Sequence, residues 1–397
     1  MKKIQNHSPD INLPEAKRLI NKCLTDGWIS TGSKIVDLFE KKISFFTGAK
    51  YVVAVNSGTT ALQLALKLAG VKLNDEVIVP TLTFVGTINS VVHNNATPVF
   101  MDCDKYYNLD ISKTIEFLEK NTSFKNGNTI NKKTGKIIRA IVPVHIWGNG
   151  LNLHKLIKIC KKRKIKIVED AAESLGTFIK YKNKKKHSGL TGFLGCLSFN
   201  ANKIITTGNG GAIITNNKKL AQKAFYLSTQ AKKKTIEFIH NDAGYNFRMS
   251  ALPAALGISQ IKNIKKKLLR KKEINIFYKK NISKLQNFFL AETPSQLNDN
   301  NWLNILQFNF LKNKSIRKKL LNFFISSGVE ARPVWILCHK QKPFKKFETY
   351  KINNALRLYN KSICLPSGPG LTIFDLKYII KILKKFISKN KKLYKLL

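Results

Sequence analysis

The sequence predicts an α/β fold: a mostly parallel sheet covered by helices, followed by a smaller C-terminal α+β domain. Three observations carry this. Short β-branched runs alternate with helical stretches from about residue 50 to residue 215, and strands that alternate with helices build βαβ units around a covered sheet. Beyond about Ile258 the chain changes to long basic helices with apolar residues at helical intervals. Its 397 residues, 43% hydrophobic and 23% charged, are too many for a disulfide miniprotein and too apolar for a disordered tail, and they suit two packed domains.

In chain order the strand candidates are YVVAVNSG at 51–58, EVIVP at 76–80, TPVFMD at 97–102, RAIVPVH at 139–145, IKIVEDAA at 165–172, CLSFN at 196–200 and GAIIT at 211–215. The polar stretch TSFKNGNTINKKTGK, 122–136, reads as an inserted loop or hairpin. A domain boundary is expected near residue 255, giving an N-terminal arm (1–32), a large domain (33–255) and a small domain (256–397). The small domain opens on a basic helix over 261–285 and continues with a strand candidate ILQFNFL at 305–311. A helix over 315–326 ending near Gly328 and a closing helix over 373–388 complete it.

Six cysteines, Cys23, Cys103, Cys160, Cys196, Cys338 and Cys364, contain no C-x-x-C pair, which argues against structural zinc or a disulfide framework and for a reducing, cytoplasmic setting. The basic start Met1-Lys2-Lys3 is not followed by the apolar core of a secretory signal. The charge-free stretch from Val77 to Met101 is interrupted by Pro80, Gly86, Asn89, His93, Asn94, Asn95 and Pro98, so no membrane span is expected. The net charge is +47, from 70 basic and 23 acidic residues. Spread over roughly 16,000 Å² of surface, the charges stand roughly 18 Å apart, farther than the Debye length of about 8 Å. The lysine runs, such as Lys161 to Lys164, Lys182 to Lys186 and Lys232 to Lys234, are scattered along the chain. That is a solvated surface rather than a specific nucleic-acid platform, although a basic regulatory protein remains the alternative from a different class.

In an open parallel sheet ligands lie beyond the carboxyl ends of the strands. The first strand candidate runs into Asn56-Ser57-Gly58-Thr59-Thr60 and then a helix, an arrangement that can cradle a phosphate on helical N–H groups or simply cap the helix. The candidate at 165–172 delivers Glu169, Asp170 and Glu173 at its end, where a carboxylate could keep a heterocyclic nitrogen protonated or cap a helix. Lys203 follows the candidate at 196–200 and precedes the glycine-rich turn Gly208-Asn209-Gly210-Gly211. A lysine sheltered from water has a lowered pKa and can form a Schiff base. Cradle, carboxylate and lysine in this order match the requirements of pyridoxal phosphate. The motifs G-x-G-x-x-G at the first turn, G-x-x-x-x-G-K-[ST], H-E-x-x-H and G-x-S-x-G are absent from the sequence.

Nearly the whole chain resembles the DegT/StrS-type sugar-nucleotide aminotransferases of fold type I. The resemblance rests on GWISTG at 27–32, SGTTALQLAL at 57–66, DEVIVPTLTFVGT at 75–87, PVFMD at 98–102, IVPVHIWG at 141–148, VEDAAESLG at 168–176, SFNANKIITTGNGG at 198–211 and GYNFRM at 244–249. The insertion 122–136 and RPVWILCHKQKPF at 332–344 further resemble the branch of the legionaminic acid and bacillosamine pathways. Two departures touch local packing: Phe193 follows Gly192 where an aspartate is common, and Leu197 stands where an aromatic is common.

The resemblance implies a role for each matched residue. Lys203 would bind the cofactor and then move a proton between the substrate carbon and cofactor C4′. Asp170 would pair with the pyridinium nitrogen. Gly58, Thr59 and Ser198 would hold the phosphate, Phe84 would stack on the ring, and Glu173 would approach the phenolic oxygen. Asn246 would reach the phosphate of a neighbouring subunit, which implies a homodimer. His145, Arg332 and His339 are candidates for the substrate side, with a structural, hydrogen-bonded role open for each histidine. The implied reaction passes an amino group from L-glutamate to C4 of a nucleotide-linked 4-keto-6-deoxy sugar, UDP-linked and N-acetylated, for surface glycan biosynthesis. A sugar dehydratase of the same family is the nearer alternative, and Lys203 argues against it because a histidine replaces the lysine there.

Overall fold

The computed structural model describes residues 3–233, 235–294, 298–310 and 313–390. The main sheet runs Tyr51–Val55, Gly211–Thr215, Leu194–Ser198, Lys166–Asp170, Ile138–Ile141, Glu76–Pro80, Thr97–Met101 and Thr349–Tyr350. Gly211–Thr215 is antiparallel to both of its neighbours, and every other pairing is parallel. Every residue of Glu76–Pro80, Leu194–Ser198 and Gly211–Thr215 is buried. Covered on both faces, such strands read as unbroken apolar runs, which is why each stood out in the sequence.

The insertion forms a hairpin, Thr122–Lys125 against Asn128–Asn131. A second hairpin, Phe178–Tyr181 against Lys184–His187, carries the lysine run that began as a charge observation. The C-terminal part builds a second, antiparallel sheet in the order Phe288–Leu290, Asn304–Phe308, Ser362–Leu365 and Arg332–Pro333. Helices Ile264–Ile282, Asn313–Ser326 and Ile373–Lys389 surround it, and Ile274, Phe308, Phe324 and Leu383 share its core. The expected strand and basic run end on Leu311 and Lys234, which lie outside the described residues.

The two units are tied together by segments that cross between them. Helix Ala251–Ile261 spans the expected boundary and packs against helices Leu13–Thr25 and Lys34–Thr47. Its Ala251, Ala254 and Ala255 share a core with Phe39 and Phe199. Thr349–Tyr350 returns from the C-terminal part to edge the main sheet, and Ile4 bridges to Val329 beside the smaller one. Among the described residues no helix is long and apolar enough to cross a membrane.

Candidate active site

At the carboxyl edge of the main sheet lies a cleft of about 150 Å³. Helix Gly58–Leu68 points its N-terminus into it, with Ser57 and Thr60 closing a capping box. Gly58 and Ser198 meet here: a Cβ on Gly58 would stand 2.8 Å from Ser198 Cβ, so only glycine permits the approach. A Cβ on Gly86 would stand 2.9 Å from Thr59 Oγ1. Small residues thus leave room, with Thr59 and Ser198 on the lining, for an anion at a helix N-terminus.

Asp170 ends the strand Lys166–Asp170, accepting from Thr87 Oγ1 (2.7 Å) and from the Ala172 amide (3.1 Å). Burial raises its pKa, and those hydrogen bonds with the charge of Lys203 work against the rise. The Lys203 side chain is 13% exposed and its Nζ lies 3.5 Å from Glu173 Oε1. Burial holds the lysine below its ordinary value, opposed by Glu173 and Asp170, and pushes Glu173 up to about 7. The other Glu173 oxygen accepts from the Trp147 amide at 2.7 Å. Trp147 has φ 54°, a left-handed backbone that costs energy for a tryptophan and turns this amide toward Glu173. Phe84 lies on the rim at 52% exposure, 6.0 Å from the Trp335 ring.

These residues fit pyridoxal phosphate. The cradle suits the phosphate, the buried Asp170 suits a protonated ring nitrogen, and Lys203 is an amine kept from bulk water. Gly58, Thr59, Phe84, Asp170, Glu173, Ser198 and Lys203 all line the one cleft.

Four anticipated residues stand apart. His145 is fully buried, its Nε2 2.8 Å from Glu173's neighbour in the motif, Glu169, and its Nδ1 accepting from the Leu151 amide. With both ring nitrogens engaged by protein groups and no place on the cleft lining, His145 has the surroundings of a structural, hydrogen-bonded histidine rather than of a substrate contact. Glu169 points away from Asp170, accepting from the amides of Gly189, Thr191 and Gly192. Burial raises its pKa, but His145 and these amides outweigh burial and bring it below the usual range. Arg332 is exposed and paired with Glu330. His339 is turned to Thr81 and Phe100. Neither lines the cleft. Asn246 is exposed beside the end of the first strand, where its carbonyl accepts from Asn56, and it does not line its own chain's cleft.

The cleft also holds residues that the sequence did not single out. Trp302 and Trp335 reach it from the C-terminal part, and Thr87 holds Asp170. Thr87 closes the motif DEVIVPTLTFVGT, directly before the apolar Ile88, and tryptophan occurs only four times in the chain; those were the available signals.

A model of the DegT/DnrJ/EryC1/StrS aminotransferase family matches residues 11–384. The chain is 32% identical to the GDP-perosamine synthase of Escherichia coli O157:H7, over 98% of this chain and 100% of that protein. It is 30% identical to the UDP-4-amino-4,6-dideoxy-N-acetyl-beta-L-altrosamine transaminase of Campylobacter jejuni subsp. jejuni serotype O:23/36 (strain 81-176), over 94% of this chain and 95% of that one. A solved Helicobacter pylori aminotransferase involved in the biosynthesis of pseudoaminic acid superposes with a TM-score of 0.86 at 26% identity, covering 98% of this chain and 100% of that one. A sheltered lysine in the loop that follows a fully buried strand and a family match along almost the whole chain converge: this chain belongs to the DegT/DnrJ/EryC1/StrS aminotransferase family and is a pyridoxal-phosphate-dependent aminotransferase.

Proposed function

We propose that the protein aminates C4 of a nucleotide-linked 4-keto-6-deoxy sugar, UDP-linked and N-acetylated, with L-glutamate as donor. The observation that carries the reading is the single cleft in which Lys203, Asp170 and Glu173 face a glycine-cleared helix N-terminus. Its support on the substrate side is the likeness to proteins named for GDP- and UDP-linked amino sugars. The enzyme works in the cytoplasm as a homodimer, and its product enters surface glycan biosynthesis.

Bound pyridoxal phosphate supplies a ring that accepts the electron pair left when a substrate carbon loses its proton. The protein does the rest. The helix N-terminus with Thr59 and Ser198 binds the phosphate. Asp170, held by Thr87 and the Ala172 amide, keeps a proton on the ring nitrogen. Lys203 takes a proton from the substrate carbon and returns it to C4′. Glu173, pushed up to about 7 by burial, orients Lys203 and would be the group nearest the phenolic oxygen of a bound cofactor. Phe84, Trp302 and Trp335 give apolar walls that exclude water.

Incubating purified protein and glutamate with a panel of nucleotide-linked 4-keto sugars, followed by mass spectrometry, tests the reading. A product carrying one added nitrogen, from the UDP-linked N-acetylated substrate above the others, is expected. A deoxy sugar without nitrogen would select the dehydratase instead. Lys203→Ala should lose the visible cofactor band and all turnover.

A further inference from the structure

Trp302 is held at three points. Its amide donates to Asn300 Oδ1 (2.9 Å), its carbonyl accepts from the buried Lys271 amine (2.7 Å), and its indole Nε1–H donates to the Asn202 carbonyl (2.7 Å). Asn300 is itself fixed, donating to the carbonyls of Glu173 (2.8 Å) and Leu175 (3.0 Å). The indole therefore has one orientation, and Lys203 Nζ lies 3.9 Å from its ring centroid.

We propose that Trp302 is a positioning residue for proton transfer, its indole face being the place where the Lys203 ammonium ion rests between the two proton transfers of each half-reaction. Lys203 must change charge without leaving the cleft. When its amine takes a proton from the substrate carbon, an N–H bond forms as the C–H bond breaks, and the electron pair passes into the ring of the bound cofactor. When the proton goes on to C4′, the N–H bond breaks, the electron pair returns from the ring to form the new C–H bond and the neutral amine is restored; the second half-reaction runs the same transfers in reverse, so no other reactant is consumed. With 13% of the side chain exposed, the ammonium form has little water around it.

An aromatic face attracts a cation through its quadrupole without accepting the proton. That distinguishes it from a second carboxylate, which could take the proton and keep it. The other groups facing Lys203 are Glu173 and Asp170, whose charges favour the ammonium ion, and His7 of the N-terminal segment, which feels the lysine's charge. The ring supplies attraction fixed in direction, so the nitrogen is held where it can reach both carbons.

The inference rests on Lys203 being the reactive amine, and the test reads that amine directly. In protein stripped of cofactor, the labelling of Lys203 by an amine-selective acylating reagent is followed against pH by peptide mass spectrometry. Only the free amine reacts, so removing a group that favours the ammonium ion lowers the midpoint of the curve. Trp302→Leu should lower the midpoint and label roughly tenfold faster near neutral pH, and Trp302→Phe should fall between it and the wild type. A midpoint unchanged in a folded Trp302→Leu protein overturns the proposal.

If that variant does not fold, replacing tryptophan throughout by a ring-fluorinated analogue keeps the shape and weakens the quadrupole. A lowered midpoint then supports the proposal, and an unchanged one overturns it. Reconstitution with pyridoxal phosphate separates the two ideas: wild-type protein that gains no visible band refutes the role of Lys203, whereas a normal band with an unmoved midpoint refutes only that of Trp302.

Discussion

Lys271 shows how little a residue's name says about its place. It is 1% exposed and donates to the carbonyls of Trp302 (2.7 Å) and Ser367 (2.6 Å), joining two loops beneath the active site. Burial pulls its amine from 10.5 down to about 7. Between those values the unfolded chain holds the proton and the folded chain has released it, so folding stability gains as pH rises across that window. Lys271→Met removes this gain. Urea unfolding at about pH 7 and about pH 10 should show the wild type gaining on the variant by up to about 1.4 kcal/mol per pH unit. A difference that stays constant with pH would mean that the amine is not buried as described. Lys203 was legible in the sequence because a charge-free stretch and a glycine turn surround it. Lys271, between Arg270 and Lys272, looked like one more surface charge.

At the scale of elements, the same helix explains the difference. Ile264, Lys267, Lys271, Ile274, Tyr278 and Ile282 form the buried stripe of Ile264–Ile282, a three-and-four spacing that periodicity reveals only if two lysines are read as buried. Strands and their ends were legible because their apolar runs are local. Thr349–Tyr350 was not, being two residues long, and neither was the hairpin at 178–187, whose lysines hide the alternation. Trp302 meets Asn202 across 100 residues of sequence, a contact that no local pattern encodes.

One long-range contact carries a prediction. Asp102, following the strand Thr97–Met101, accepts from the amides of Asn353 (3.1 Å), Asn354 (2.9 Å) and Ala355 (2.7 Å) at the start of helix Asn354–Asn360, and pairs with Lys113. Burial raises its pKa, but Lys113 and the three amides bring it below the ordinary value. Asp102→Ala strips a helix of its cap and leaves the buried Ala355 amide and the half-buried Lys113 ammonium without their carboxylate, so it should cost roughly 3 kcal/mol in urea unfolding. Asp102→Asn, which keeps an acceptor, should cost less. A loss below about 1 kcal/mol in Asp102→Ala would show that this contact does not join the C-terminal part to the main sheet.

On the scale of the whole molecule, a single chain leaves surfaces that invite a second copy. Ile236 is fully exposed and Phe238 79% exposed in the segment leading to Asn246, and Trp28 is 63% exposed in the N-terminal segment; apolar groups so open commonly mark an interface. A cofactor phosphate carries close to two negative charges and needs donors from several directions, of which one helix N-terminus supplies some. Asn246 is exposed and does not line its own chain's cleft, and the family resemblance implies that it reaches the phosphate of a partner. Asn246→Ala should then weaken cofactor retention while Lys203 keeps its chemistry. Mixing Lys203→Ala chains with Asn246→Ala chains distinguishes a shared site from a private one. In a heterodimer with shared sites, both lesions fall in one cleft and the other is intact, so activity should rise above that of either parent. If each chain builds its own cleft, both clefts of the heterodimer stay damaged, and activity will not recover even where heterodimers are shown to form.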